Sequence, residues 1–264
     1  MNPYLDFVKN IQAGIDEARS LSVSGKTEPP VSDSAVLLFS PHPDDECITG
    51  LLPLRLMRET GRQVVNIPVT FGSNVERQFG RAAELQDACD FLGFRIHQGR
   101  DDYASLDTEG VARTLREIQP EIVFIPHEAD WNSRHVSTHF LVMEALAMLD
   151  REFSCVIVET EYWGAMSDPN LMVEGDAEYV ADLVGAISLH AGEVARNPYH
   201  LLLPAWMQDN VRRGGELVSG QGGAAPDFSF ATLYRVSLWQ SGELRPELET
   251  GAVLPIGDDF DALL

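Results

Sequence analysis

Ala35-Val-Leu-Leu-Phe-Ser40-Pro-His-Pro-Asp-Asp-Glu46-Cys47 is the stretch on which the reading of this 264-residue chain turns. Residues 35–39 form a short, unbroken apolar run, the pattern of a strand buried on both faces of a parallel sheet. Directly after it, the seven residues 40–46 hold two prolines, the imidazole of His42 and the carboxyls of Asp44, Asp45 and Glu46. Ligands of an open parallel sheet bind beyond the carboxyl ends of its strands, so this loop lies where chemistry is expected.

Working outward, a second buried strand at 121–125 leads into another histidine-bearing loop, Pro126-His-Glu-Ala-Asp-Trp131-Asn-Ser-Arg-His135. Both loops therefore sit on one edge of the sheet. Downstream of the first, the pattern predicts a helix at 48–60 with Pro53 near its start or kinking it, and Gly61 as its stop. A strand at 63–70, a helix over Val75–Leu92 ended by Gly93, a short strand at 95–97 and a helix over Thr108–Ile118 follow. After the second loop come a helix at 136–149, a strand over Ser154–Thr160 and a long helix at 176–196. This alternation specifies an α/β class with a Rossmann-like, mostly parallel sheet and helices on both faces. Upstream, residues 3–20 form an amphipathic helix, with Asn2 as cap and Tyr4, Val8, Ile11, Ile15 and Ala18 on a face expected to pack on the main body. A linker at 22–34 joins it to the first strand. One domain spans 1–264: a core at about 35–195, the helix at 3–20, and an irregular C-terminal extension at 197–264 in which 228–239 supplies an added strand or two.

Charge and cysteine usage narrow the function. Nineteen Lys and Arg against 41 Asp and Glu give a formal charge of −22, which lacks the basic footprint that nucleic acid or an anionic membrane needs. Three cysteines with no C-x-x-C pair, no leader-like N-terminus and no run of ~18 apolar residues point to the cytoplasm. The stretch after Phe39 has no G-x-G-x-x-G, and its acids would repel a pyrophosphate, which excludes a dinucleotide site.

Acids at a helix start are ordinary electrostatics. His42 adds something else, because an imidazole and a carboxylate in H-x-x-D spacing, His42 and Asp45, can turn toward one borderline cation. His135 is the best third ligand and would leave a position open for water. His139, four residues on and on the same helix face, is its main competitor. His97 and His127 read as structural.

These residues resemble the PIG-L/LmbE family of zinc-dependent N-acetylglucosamine deacetylases. The family's proline-histidine-proline-aspartate-aspartate-glutamate loop stands intact at 41–46, and Gly61, Arg81-Ala-Ala-Glu84-Leu, Leu92-Gly93 and the second histidine loop extend the likeness over roughly 35–195. The resemblance implies that His42, Asp45 and His135 hold zinc or another divalent metal and that Asp44 is the general base. It implies amide hydrolysis of a small-molecule N-acetyl amino sugar or glycoconjugate, releasing acetate and a free amine. The family's H-P-D-H element reads Asn132-Ser133-Arg134-His135 here. Asn132 therefore stands for a histidine that stabilises the oxyanion or acts as acid, and an amide can donate a hydrogen bond but cannot shuttle a proton. His139, His190 and His200 are the histidines left for that task, His190 in a partial match to a family element. Arg81, Asp101, Asp102, Trp131, Arg134 and His190 are candidate substrate contacts. The alternative class is a metal-bearing carbohydrate-binding or regulatory protein that has lost turnover; retention of Asp44, which no metal ligation requires, favours the enzyme.

Overall fold

A computed structural model describes residues 2–97, 103–248 and 250–264. In chain order the elements are α1 (Leu5–Ala18), β1 (Ala35–Ser40), α2 (Asp45–Ile48), α3 (Leu51–Thr60), β2 (Gln63–Pro68), α4 (Val75–Leu92), β3 (Arg95–Ile96), α5 (Thr108–Ile118), β4 (Ile122–Pro126), α6 (Ser133–Ala147) and β5 (Ser154–Thr160). Then follow β6 (Leu171–Gly175), α7 (Ala177–Ser188), α8 (Ala191–Val194), a 3-10 turn (Tyr199–Leu202), α9 (Leu203–Leu217), β7 (Phe230–Gln240), β8 (Glu243–Pro246) and β9 (Ala252–Leu254). The expected α/β fold is observed: a sheet ordered β3-β2-β1-β4-β5-β7-β6-β9, parallel from β3 to β5. No helix among the described residues is long and apolar enough to cross a membrane.

β1 shows why its run is apolar throughout. Val36 and Leu38 pack on one face with Leu51, Leu85 and Leu183, while Leu37 and Phe39 pack on the other with Val111, Leu115, Val142 and Leu146. Burying each such leucine contributes about 1.5–3 kcal/mol. The chain leaves β1 for β2 on one side, and β4 joins on the other, so strand order reverses between β1 and β4. A crevice opens at such a switch point, beyond the carboxyl ends of both strands. The two histidine loops flank it.

Several expectations are corrected. The predicted helix at 48–60 is two, α2 and α3, parted at Thr49 and Gly50; a Cβ on Gly50 would lie 2.4 Å from the Glu46 carbonyl. Pro53 falls at the third residue of α3, where no intrahelical N–H bond is due. The helix at 176–196 is also broken, because His190 leaves helical geometry (φ −77°, ψ 61°) to turn its ring inward to Glu46. The face of α1 does not pack on the main body: Tyr4, Val8 and Ile11 are exposed, and only Ile15 and Ala18 are half-buried. In the C-terminal region the added strand expected at 228–239 is present as β7, but the rest is not irregular. β7 inserts antiparallel between β5 and β6, and α9 packs on it. The buried Arg55 guanidinium donates to the carbonyls of Glu174, Leu254 and Pro255 and pairs with Glu59, which ties α3 to the β6 and β9 ends.

Candidate active site and metal centre

The first loop is held by its own side chains. Ser40 Oγ donates to Asn66 Oδ1 at 2.6 Å, the His42 N–H to Asp45 Oδ2 at 2.9 Å, and the Asp44 N–H to Glu46 Oε2 at 2.9 Å. Asp44 has φ 118°, a conformation that side chains other than glycine's disfavour. Such strain costs about 1–3 kcal/mol and persists only when its surroundings fix it. Here the Asp44 carbonyl also accepts the N–H groups of Cys47 and Ile48 at the start of α2.

His42, Asp45 and His135 converge. Their ligand atoms all lie within 4.8 Å of one another, with Asp45 Oδ2 3.4 Å from His42 Nδ1 and 3.5 Å from His135 Nε2. His135 Nε2 is buried with no hydrogen-bond partner among the described residues. A buried, unsatisfied imidazole nitrogen is costly, and a cation between the three groups would satisfy it. Two imidazole nitrogens and one carboxylate oxygen suit zinc or a similar borderline dication. Burial disfavours the charged form of both partners, but each outweighs it for the other: His135 rises above its ordinary range under Asp45 and Asp130, and Asp45 falls below its own under His135 and His42.

Asp130 was not picked out from sequence. Its Oδ2 lies 3.2 Å from His135 Nδ1, and its Oδ1 accepts the Asn132 N–H at 2.8 Å. A carboxylate behind a ligating histidine fixes the tautomer and aims the other nitrogen. Asp130→Asn is expected to weaken divalent-metal binding about 10–100-fold, measured by competition with a chromophoric chelator. The available signal was the carboxylate five residues before His135 in a loop tight enough to bring it back.

Asp44 faces Tyr199, whose hydroxyl donates to Asp44 Oδ2 at 2.5 Å. Burial and the adjacent Asp45 charge push the Asp44 acid up to about 8, against the opposing influence of His190 and the Tyr199 hydrogen bond. Two neighbouring carboxyls are thus driven apart: Asp45 stays ionised, while Asp44 can exchange a proton near neutrality. Behind them, Glu46 Oε1 and His190 Nε2 pair at 2.7 Å in full burial, with Cys47 Sγ 3.1 Å from the carboxylate. Tyr199 lies 155 residues from Asp44 in sequence and carried no motif.

The other candidates divide. Arg81 and Arg134 line a cavity beside His42. Trp131 is 71% exposed, its indole N–H donating to the Trp163 carbonyl at 2.8 Å, at the outer end of aromatic contacts that pass through Trp163 to Tyr199. His190 is fully buried and cannot touch a substrate directly; its place is under the loop. His139 does not join the cluster, since its Nδ1 bonds the Pro126 carbonyl at 3.0 Å and lies 3.5 Å from Glu159. His200 lines a separate cavity with Arg19 and Leu21. Asp101 and Asp102 lie outside the described residues. Asn132 caps α6, its Oδ1 accepting the Arg134 N–H at 3.0 Å. Asn132→Ala should therefore cost about 1 kcal/mol in urea unfolding, and Asn132→Asp, which keeps the acceptor, should leave stability nearly unchanged.

Comparison with known proteins fits this geometry. Residues 37–146 match the family described as PIG-L: GlcNAc-PI de-N-acetylase. No curated protein matches the chain. Among solved structures, N,N'-diacetylchitobiose deacetylase from Pyrococcus horikoshii aligns at TM-score 0.58 and 18% identity, over 89% of this chain and 93% of that one. GalB, the 4-carboxy-2-hydroxymuconate hydratase of Pseudomonas putida, aligns at TM-score 0.59 and 17% identity, over 77% and 95%. The zinc-inhibited form of teicoplanin deacetylase Orf2 aligns at TM-score 0.57 and 14% identity, over 78% and 98%. At such identities these structures speak for the fold. Residues 37–146, which contain His42, Asp44, Asp45 and His135, match the PIG-L family model, and the chain shares the fold of solved LmbE/PIG-L-type deacetylases.

Proposed function

We propose that the protein is a metal-dependent hydrolase that removes the N-acetyl group from an amino sugar or its glycoconjugate. The observation that carries this reading is the buried, unpartnered His135 Nε2 facing Asp45 and His42, with the strained, proton-exchanging Asp44 next to them. Held by His42, Asp45 and His135, zinc or another divalent cation would polarise the acyl carbonyl and make water more acidic. Asp44 is then the proton acceptor, and once protonated it is a donor for the departing amine, so the asparagine at 132 does not leave the reaction without an acid. The Tyr199 hydroxyl orients Asp44; burial and the carboxyl's charge raise its pKa far above the ordinary phenol value, so it keeps its proton and remains a donor.

GalB motivates a second reading, hydration of an unsaturated acid, because it is a hydratase on the same fold. A hydratase would form one product from substrate plus water, whereas hydrolysis yields two. Metal analysis combined with an acetate-release screen over N-acetyl sugars, with Asp44→Asn as control, separates them. Stoichiometric metal and chelator-sensitive acetate release are expected; full activity in a metal-free preparation would sink the reading.

A further inference from the structure

His42 forms one wall of a cavity of about 310 Å³ whose other walls include Gly72, Arg77, Arg81 and Arg134. Among the described residues no aspartate or glutamate lines it, although the protein carries a formal charge of −22. The cleft is locally inverted in sign. Arg81 is 13% exposed and fixed by donation to the carbonyls of Phe71 (3.2 Å) and Pro43 (3.4 Å), while its Nε is buried without a hydrogen-bond partner among the described residues. Gly72, at φ 87°, leaves the space: a Cβ there would lie 2.6 Å from Arg81 Nη1. Arg77 pairs with Glu193 at 2.8 Å, and that one carboxylate also pairs with Arg196 and stands 3.8 Å from Arg81 Nε. Arg134, exposed on the first turn of α6, makes no ion pair among the described residues.

Three guanidinium groups thus line the cleft, and the nearby Glu193 is shared with a fourth. A neutral sugar hydroxyl would leave that excess charge uncompensated, whereas a carboxylate or phosphate accepts the forked, charge-assisted bonds that arginine offers. The geometry points to an anion subsite: Arg77, Arg81 and Arg134 hold a carboxylate or phosphate on the substrate while its N-acyl group lies at His42, Asp45 and His135. The inference rests on the deacylation reading for what the anionic molecule is.

Its test compares kcat/KM for N-acetylglucosamine, N-acetylmuramic acid and N-acetylglucosamine 1- and 6-phosphates on the metal-loaded enzyme. The expected result is a preference of about tenfold or more for an anionic sugar, the size of one charged hydrogen bond. That preference should shrink toward unity in Arg134→Gln and in Arg77→Gln, and should fall with rising salt. The carboxylate and phosphate arms show which anion the cleft takes. Equal or better turnover of the neutral sugar, or an unchanged ratio in both variants, overturns the subsite. If no sugar releases acetate, the deacylation reading fails separately, and calorimetric titration with inorganic phosphate decides the subsite: binding weakened about tenfold by either change supports it, and binding indifferent to both, as at the metal alone, overturns it.

Discussion

Asp44→Asn is expected to lower acetate release about 10²–10⁴-fold while metal content stays stoichiometric. The substitution is nearly isosteric, so the backbone N–H can still donate to Glu46, and the amide oxygen can still accept from Tyr199. What is lost is the proton acceptor alone. Burial and Asp45 push the Asp44 acid up to about 8, so the folded parent keeps a proton that the unfolded chain releases in the ordinary carboxylate range, and its stability falls as pH rises from that range through about 8. The variant has no such decline, so its melting temperature should match the parent's at acid pH and exceed it at higher pH. Retention of more than about a tenth of the rate would show that another group takes the proton, since general-base loss is normally far larger. Loss of metal together with activity would instead make Asp44 a ligand.

His190→Ala should destabilise the fold by about 3–5 kcal/mol, because it strands the fully buried Glu46 carboxylate. Combining it with Glu46→Gln should recover part of the loss in denaturant unfolding. The pH dependence has a definite sign. Burial alone would lower the His190 value, but the Glu46 carboxylate outweighs it and the folded-state value is raised. The stabilisation from the pair is therefore complete below about pH 6.5, the unfolded imidazole's range, and is lost as pH rises through the folded value. The variant should lack this alkaline decline. Equal stability of variant and parent at pH 6 would mean that the pair does not hold the loop.

The sequence made the central strand, its loop and the three converging groups legible because each is local: an apolar run, an H-x-x-D spacing, a histidine at a helix start. The partners that set their chemistry are remote. Asp44 is oriented by Tyr199, Glu46 by His190, and Arg55 by carbonyls of β6 and the β9 end, none of which any periodicity relates. Asp130 was nearer to hand, but only the fold of its loop shows that it backs His135. Asn132 looked like a depleted catalytic position, and the geometry shows its other occupation as a helix cap. The added strand at 228–239 was legible and is β7, but its place between β5 and β6 was not, and the Gly- and Pro-containing stretches at 197–204 and 214–225 hide α9.

The place of β7 in the sheet sets an order of events on the ribosome. β5 is complete by Thr160 and β6 by Gly175, yet the strand that joins them begins at Phe230. Until it emerges, β5 presents an open hydrogen-bonding edge and β6 has no place to dock, a condition that invites pairing between nascent chains. Assembly therefore waits on the last 35 residues of the polypeptide, and release of a chain truncated before Phe230 should yield aggregate rather than a smaller enzyme.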